Sequence, residues 1–217
     1  MTTFKNRTQA GKELARRLSK YAHREDVVVL GLARGGLTVA FEVAQALDAP
    51  LDVFIVRKLG VPGHRELAMG AIASGGVRVL NQSVINSLNI PGDQIENVAA
   101  QEQRELERRE REYRGEAERL DVTGKTAILV DDGLATGASM RAAVQALRQR
   151  HPERIVVAVP AAAPSVCREF EAQVDEVICL ITPEPFFGVG AWYEDFSQTT
   201  DREVRTLLDE ARSATPA

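Results

Sequence analysis

The sequence predicts an α/β protein: a parallel sheet with helices packed on both faces. Short β-branched runs alternate along the chain with stretches of helical periodicity, the pattern of strand–helix units. The runs are apolar almost throughout, as strands buried on both faces are, whereas a half-exposed strand would alternate. The 217 residues are 44% hydrophobic and 27% charged, which fits an ordinary globular chain with one core. No internal repeat or low-complexity tract divides it, so a single domain over residues 1–217 is expected.

Residues 27–30, Val-Val-Val-Leu, form the first core strand, followed by glycines and a helix over 37–47. A second strand covers 51–56, and a Gly-rich stretch leads from it to a hairpin-like pair at 70–73 and 77–80. Later strands fall at 126–130, 155–159 and 177–181, with helices starting near Ala138 and covering about 164–171. Right-handed crossovers then gather the strand-to-helix loops along the carboxyl edge of the sheet, where ligands bind in such folds.

Residues 92–120 interrupt the alternation. Within 101–120 there are seven Glu and six Arg. Glu105/Arg109, Glu107/Arg111 and Glu110/Arg114 have the favourable i, i+4 spacing with Glu first. Ile95, Ala99, Leu106, Tyr113, Ala117 and Leu120 make a narrow apolar stripe. A long charged helical insertion is predicted, lying on the domain or projecting from it and solvated except along one seam. Residues 213–217 read as a frayed end.

Lys plus Arg is 27 against 31 Asp plus Glu, a formal charge of −4, which argues against a nucleic-acid partner held by bulk charge. No apolar run approaches the roughly 18 residues of a membrane span, and residues 1–10 lack the apolar core of a signal peptide. A cytoplasmic protein with no membrane partner is expected. Cys167 and Cys179 have neither CxxC spacing nor His companions. They read as small hydrophobes in a reducing compartment, excluding a disulfide framework or zinc site.

The most informative segment is 127–144: a buried strand, the acids Asp131 and Asp132, a small-residue loop, and a helix starting near Ala138. Adjacent carboxylates at the mouth of an apolar strand need hydroxyls, cations or backbone N–H groups to meet them. The loop Ala135, Thr136, Gly137, Ala138 and Ser139 has the small residues that let amides close around a phosphate at a helix N-terminus. Acceptors for sugar hydroxyls beside a phosphate cradle describe a ribose 5-phosphate site. Residues 130–139, VDDGLATGAS, resemble the signature of type I phosphoribosyltransferases. The resemblance implies that the loop grips the 5-phosphate of phosphoribosyl pyrophosphate (PRPP) and that Asp131 and Asp132 face the ribose hydroxyls. Ala138 stands where the family usually has Gly, and Gly133 where it usually has a bulky apolar residue.

Residues 30–36, Leu-Gly-Leu-Ala-Arg-Gly-Gly, match neither a Walker sequence nor G-x-G-x-x-G. They resemble the family's pyrophosphate loop, in which Arg34 and the amides around Gly35 and Gly36 would hold the leaving group. The plainer reading is a tight turn into a helix. Residues 56–72 resemble the family's mobile lid, with Arg57 and Lys58 reaching the pyrophosphate and His64 and Arg65 carried on the lid. His64 as a catalytic acid is the lesser reading, since a lone loop His is usually solvated. Residues 175–193 are similar to the base-covering segment of 6-oxopurine phosphoribosyltransferases. Phe186, Phe187 or Trp192 would stack on a flat acceptor, or equally would pack a lid on the core. Gln173 stands where those enzymes carry a Lys that reads the purine oxygen, and Trp192 replaces an acidic residue. Both departures argue against hypoxanthine or guanine.

The resemblance implies the type I phosphoribosyltransferase fold: a Rossmann-like parallel sheet flanked by helices, a small hood at about 182–200, and the charged insertion of 92–120. The implied reaction moves phosphoribose from PRPP to a nitrogen nucleophile and releases pyrophosphate. Mg²⁺ is expected on PRPP itself, with no direct protein ligand assigned. The implied partners are PRPP, an unidentified acceptor and a second copy of the chain as a homodimer. Two other classes fit the same fold: a regulator that binds PRPP or a nucleotide without turnover, and a hydrolase of either.

Overall fold

The computed structural model describes residues 3–214, and for Arg65 and Glu66 the backbone alone. The expected role of the Arg65 side chain, and the frayed end at 215–217, therefore lie outside the described residues. The main sheet has five strands: β1 (Val27–Leu32), β2 (Leu51–Phe54), β6 (Thr126–Val130), β7 (Arg154–Ala161) and β8 (Glu176–Ile181), in the order β2-β1-β6-β7-β8. Every pairing within it is parallel, as the continuous apolar runs predict.

Side chains of consecutive strand residues point to opposite faces. Val27, Val29, Ile128 and Val130 accordingly enter a core shared with α1 (Arg7–Arg17), α2 (Gly35–Leu47) and α7 (Asp201–Ala214). Val28, Leu30, Ala127 and Leu129 enter the opposite core, with α5 (Ala138–Arg148) and α6 (Pro164–Glu171). Both faces are covered, so both positions of each pair must be apolar. Helices α1 and α7 have no counterpart in the predicted elements. Asn6 caps α1 by accepting the Gln9 N–H at 2.9 Å, and Ser213 and Ala214 form the last turn of α7. No helix among the described residues is long and apolar enough to cross a membrane.

Three further expectations need correction. The strand expected over 51–56 breaks at Ile55, and the chain enters a second, antiparallel sheet of β3 (Val56–Val61), β4 (His64–Ala73) and β5 (Val77–Leu80). The Gly/Pro punctuation read as a loop marks instead a hairpin turn at Pro62-Gly63, with register shifts around Gly60. The presumptive lid is thus a β-hairpin. After the short α3 (Gln82–Ser87), the charged helix α4 spans Gly92–Arg114 and ends at Gly115, short of residue 120. Ile95, Ala99, Leu106 and Tyr113 are buried, and the helix packs on β3, β4 and α7. The pairs Glu105–Arg109 (2.8 Å) and Glu110–Arg114 (3.0 Å) form, whereas Glu107 accepts a hydrogen bond from Gln103. Finally, Cys167 of α6 and Cys179 of β8 are joined in a disulfide, with Cα atoms 6.7 Å apart. The spacing of 12 residues conceals this, because the helix-to-strand reversal brings the two positions face to face.

Candidate active site

Strands β1 and β6 are neighbours, so the loops leaving their carboxyl ends lie side by side. A methyl group on Gly36 would stand 2.8 Å from the Asp131 Cα, and one on Gly35 would collide with the Asp132 carboxylate. The predicted pyrophosphate loop and the acidic pair therefore share one mouth. The Ala33–Arg34 peptide is cis. Arg34 precedes α2 and approaches Asp201 of α7 at 3.8 Å, and the Tyr113 hydroxyl of α4 also donates to Asp201. Burial, with the Asp201 contact adding to it, pushes the Tyr113 hydroxyl up to about 12.

Asp131 accepts the backbone N–H of Asp132 at 2.8 Å. Burial raises the pKa of Asp131 well above the ordinary carboxylate value, and the charge of Asp132 raises it further. Burial also raises Asp132, against the pull of Arg7 of α1, whose Nε donates to Asp132 Oδ2 at 2.8 Å. The Tyr193 hydroxyl donates to the Asp132 backbone carbonyl at 2.6 Å. Neither Arg7 nor this role of Tyr193 is visible in the sequence. The apolar spacing of Ala10, Leu14 and Leu18 could have revealed α1, but nothing local ties Arg7 to an acid 125 residues away.

Beyond the acids, Ala135, Thr136, Ala138 and Ser139 are exposed. Gly137 takes a left-handed conformation, φ 70°, as the N-cap of α5, and has no side chain to cap it; the nearest acceptor is Thr136 Oγ1, 3.5 Å from the Ala138 amide. The first-turn amides of a helix lack intrahelical partners, so this exposed end is open to an anion. Arg141 braces the loop, donating to the Thr136 carbonyl at 2.7 Å and pairing with Glu169 of α6 at 2.9 Å. The unusual Gly133 is explained by space: a Cβ there would lie 2.5 Å from Val189 Cγ1 and 2.9 Å from the Ala161 carbonyl oxygen.

The remaining candidates are more dispersed. Arg57 of β3 is held by Glu102 of α4, Nη2 to Oε2 at 2.6 Å. Lys58 and His64 are exposed on the hairpin. Trp192 is buried with Phe4 and Tyr193, and Phe186 stacks on it with centroids 6.3 Å apart. Phe187, 83% exposed, is more exposed than any other described hood aromatic. Gln173 precedes β8, at the amino edge of the sheet, and its side chain donates to Glu169. It therefore lies at the opposite edge from the acids.

Residues 2–195 match the family model described as the phosphoribosyl transferase domain, and the chain belongs to that family. It is 46% identical over 211 residues to "Putative phosphoribosyl transferase Rv0571c" of Mycobacterium tuberculosis, covering 97% of this chain and 47% of that protein. The chain thus spans about half the length of that curated relative. Among solved structures it is similar to TT1426 from Thermus thermophilus, with 42% identity, a TM-score of 0.85, and coverage of 97% of this chain and 99% of that one.

Proposed function

We propose that the protein transfers phosphoribose from PRPP to a nitrogen nucleophile, with release of pyrophosphate. The observation that carries this reading is the shared mouth of β1 and β6. There the glycines of one loop pack against Asp131 and Asp132 of the other, beside the exposed start of α5. The 5-phosphate would take the amides of residues 135–139, the ribose hydroxyls the two carboxylates, and the pyrophosphate Arg34 with the amides near Gly35 and Gly36.

Departure of pyrophosphate leaves positive charge on the sugar, which the carboxylates would offset while the cationic groups stabilise the leaving group. Arg57 would join them by exchanging Glu102 for the pyrophosphate, and Lys58 follows it on the same strand. His64 and Arg65 would travel with the hairpin, whose closure would exclude water. Amides and hydroxyls dominate the phosphate loop, a set suited to anions, so Mg²⁺ would be held by PRPP oxygens and water. When bound there it would supply neutralisation of phosphate charge. Exposed Phe187 is the aromatic available to a flat acceptor, and the buried Trp192 would support it through Phe186.

Pyrophosphate release from PRPP and Mg²⁺ should be measured across purines, pyrimidines and small amines, with a control lacking acceptor. Release dependent on one acceptor would establish transfer. Release without acceptor would identify a hydrolase, and PRPP binding without release would identify a regulator. Asp131→Asn combined with Asp132→Asn should cut PRPP affinity at least tenfold, about 1.4 kcal/mol or more, while circular dichroism stays unchanged. Unaltered affinity would remove these residues from the site.

A further inference from the structure

The chain before α1 is tied to the hood. Phe4 N–H donates to the Trp192 carbonyl at 2.8 Å, and Glu194 N–H donates to the Phe4 carbonyl at 2.8 Å. This strap delivers Arg7 into a closed ring of contacts. Its Nε donates to Asp132 Oδ2 at 2.8 Å, and its Nη1 donates to the Ser197 carbonyl at 2.6 Å. Its guanidinium carbon lies 3.9 Å from the Phe196 ring centroid. Phe196 packs on Tyr193 with centroids 5.1 Å apart, and the Tyr193 hydroxyl returns to the Asp132 carbonyl. The Arg7 and Asp132 side chains are only 11% and 16% exposed. A surface ion pair would contribute little, but a planar guanidinium held on two acceptors and one ring is fixed in direction.

We propose that Arg7 is a positioning residue for the ribose end of the substrate, fixing Asp132 as an ionised acceptor for a sugar hydroxyl. The proposal rests on the phosphoribosyl-transfer reading. Two adjacent carboxylates in a buried mouth disfavour full ionisation, and without a counter-charge they would share a proton. Arginine stays charged at every working pH. It engages Oδ2 of Asp132 at 2.8 Å, which sets the direction of the carboxylate toward a sugar hydroxyl. The charged and titratable groups around Asp132 are Asp131 beside it, Arg7 from α1 and Tyr193 from the hood. Asp195 of the hood and Glu203 of α7 also feel the Arg7 charge. Arg7 touches no substrate atom in this scheme; it acts through Asp132.

The test is calorimetric titration of wild-type protein, Arg7→Gln and Arg7→Lys with PRPP and Mg²⁺, from mildly acidic to alkaline pH. Arg7→Gln should weaken PRPP binding about tenfold near neutrality, the scale of a lost charge-assisted hydrogen bond. Its affinity should recover as rising pH ionises Asp132. Arg7→Lys, which keeps the charge, should retain the wild-type pH dependence. Equal weakening of Arg7→Gln at every pH, or a lysine variant that behaves like the glutamine one, would overturn the proposal in favour of a purely structural role. So would unchanged binding. If Arg7→Gln does not fold, Phe196→Leu removes the ring beneath the guanidinium, together with its packing on Tyr193, and is read by the same pH criterion. Failure of the wild-type protein to bind PRPP would overturn the transfer reading together with this inference. PRPP binding that is insensitive to Arg7 would overturn the inference alone.

Discussion

Asp131 stands where the apolar strand β6 meets the carboxyl edge, and burial together with Asp132 lifts its pKa well above normal. A carboxyl whose folded pKa exceeds its unfolded one favours the fold fully below the unfolded value, about 3.9. That contribution is lost as pH rises through the folded value. Asp131→Asn should therefore raise the melting temperature at neutral pH by a few degrees, the scale of about 1 kcal/mol in a chain of this size. The gain should disappear in acid below about pH 3.9. Thermal melts of both proteins at the two pH values check this, and equal melting temperatures at neutral pH would contradict it. The same residue is proposed to bind substrate, so stability and function oppose each other there. At this scale the sequence was readable wherever the chemistry is local: the acids, the small-residue loop and the helix start fall within one segment of 127–144. Arg7 was not readable, because its meaning depends on a contact with an acid 125 residues away.

Helix α4 shows how an element can be foreseen and its environment missed. The i, i+4 rule predicts Glu110–Arg114 as a pair on a solvated face, yet Glu110, Arg114 and Asp52 are each 5% exposed. Arg114 donates to Asp52 at 2.8 Å, to Glu110 at 3.0 Å and to the Val53 carbonyl at 2.6 Å. The available signal was Asp52 itself, an acid between Leu51 and Val53 in an otherwise apolar strand, which demands a cation from elsewhere. Arg114→Ala would remove the cation bonded to buried Asp52, while Glu110 would keep Arg119 at 2.6 Å, and breaking such a buried pair costs about 3–5 kcal/mol. Urea unfolding should show a loss of that order, and a loss below about 1 kcal/mol, typical of exposed pairs, would mean the network is solvated. An internal deletion within 95–118, which a loosely attached helix would tolerate, would remove this network and part of the core.

Across the whole molecule, the parallel sheet was legible because strands covered on both faces leave continuous apolar runs. Of the antiparallel sheet only the hairpin pair at 70–73 and 77–80 was legible; the third strand, β3, and the disulfide were not, since strand partnership and cysteine proximity are set by long-range packing. The disulfide closes a short loop between α6 and β8. Restricting the unfolded chain over such a loop stabilises a protein by up to about 3 kcal/mol. Thermal unfolding with and without a dithiol reductant should show a lower transition in the reduced protein, and coincident transitions would show that the bridge adds nothing.

Gly133 leaves the room that Val189 fills, although the two positions belong to different parts of the chain. Loop and hood therefore behave as lock and matching key. Transplanting a relative's loop with a bulky side chain at position 133 would import a collision with the resident hood. A workable chimaera must carry both pieces together, or trim residue 189 to suit its new neighbour.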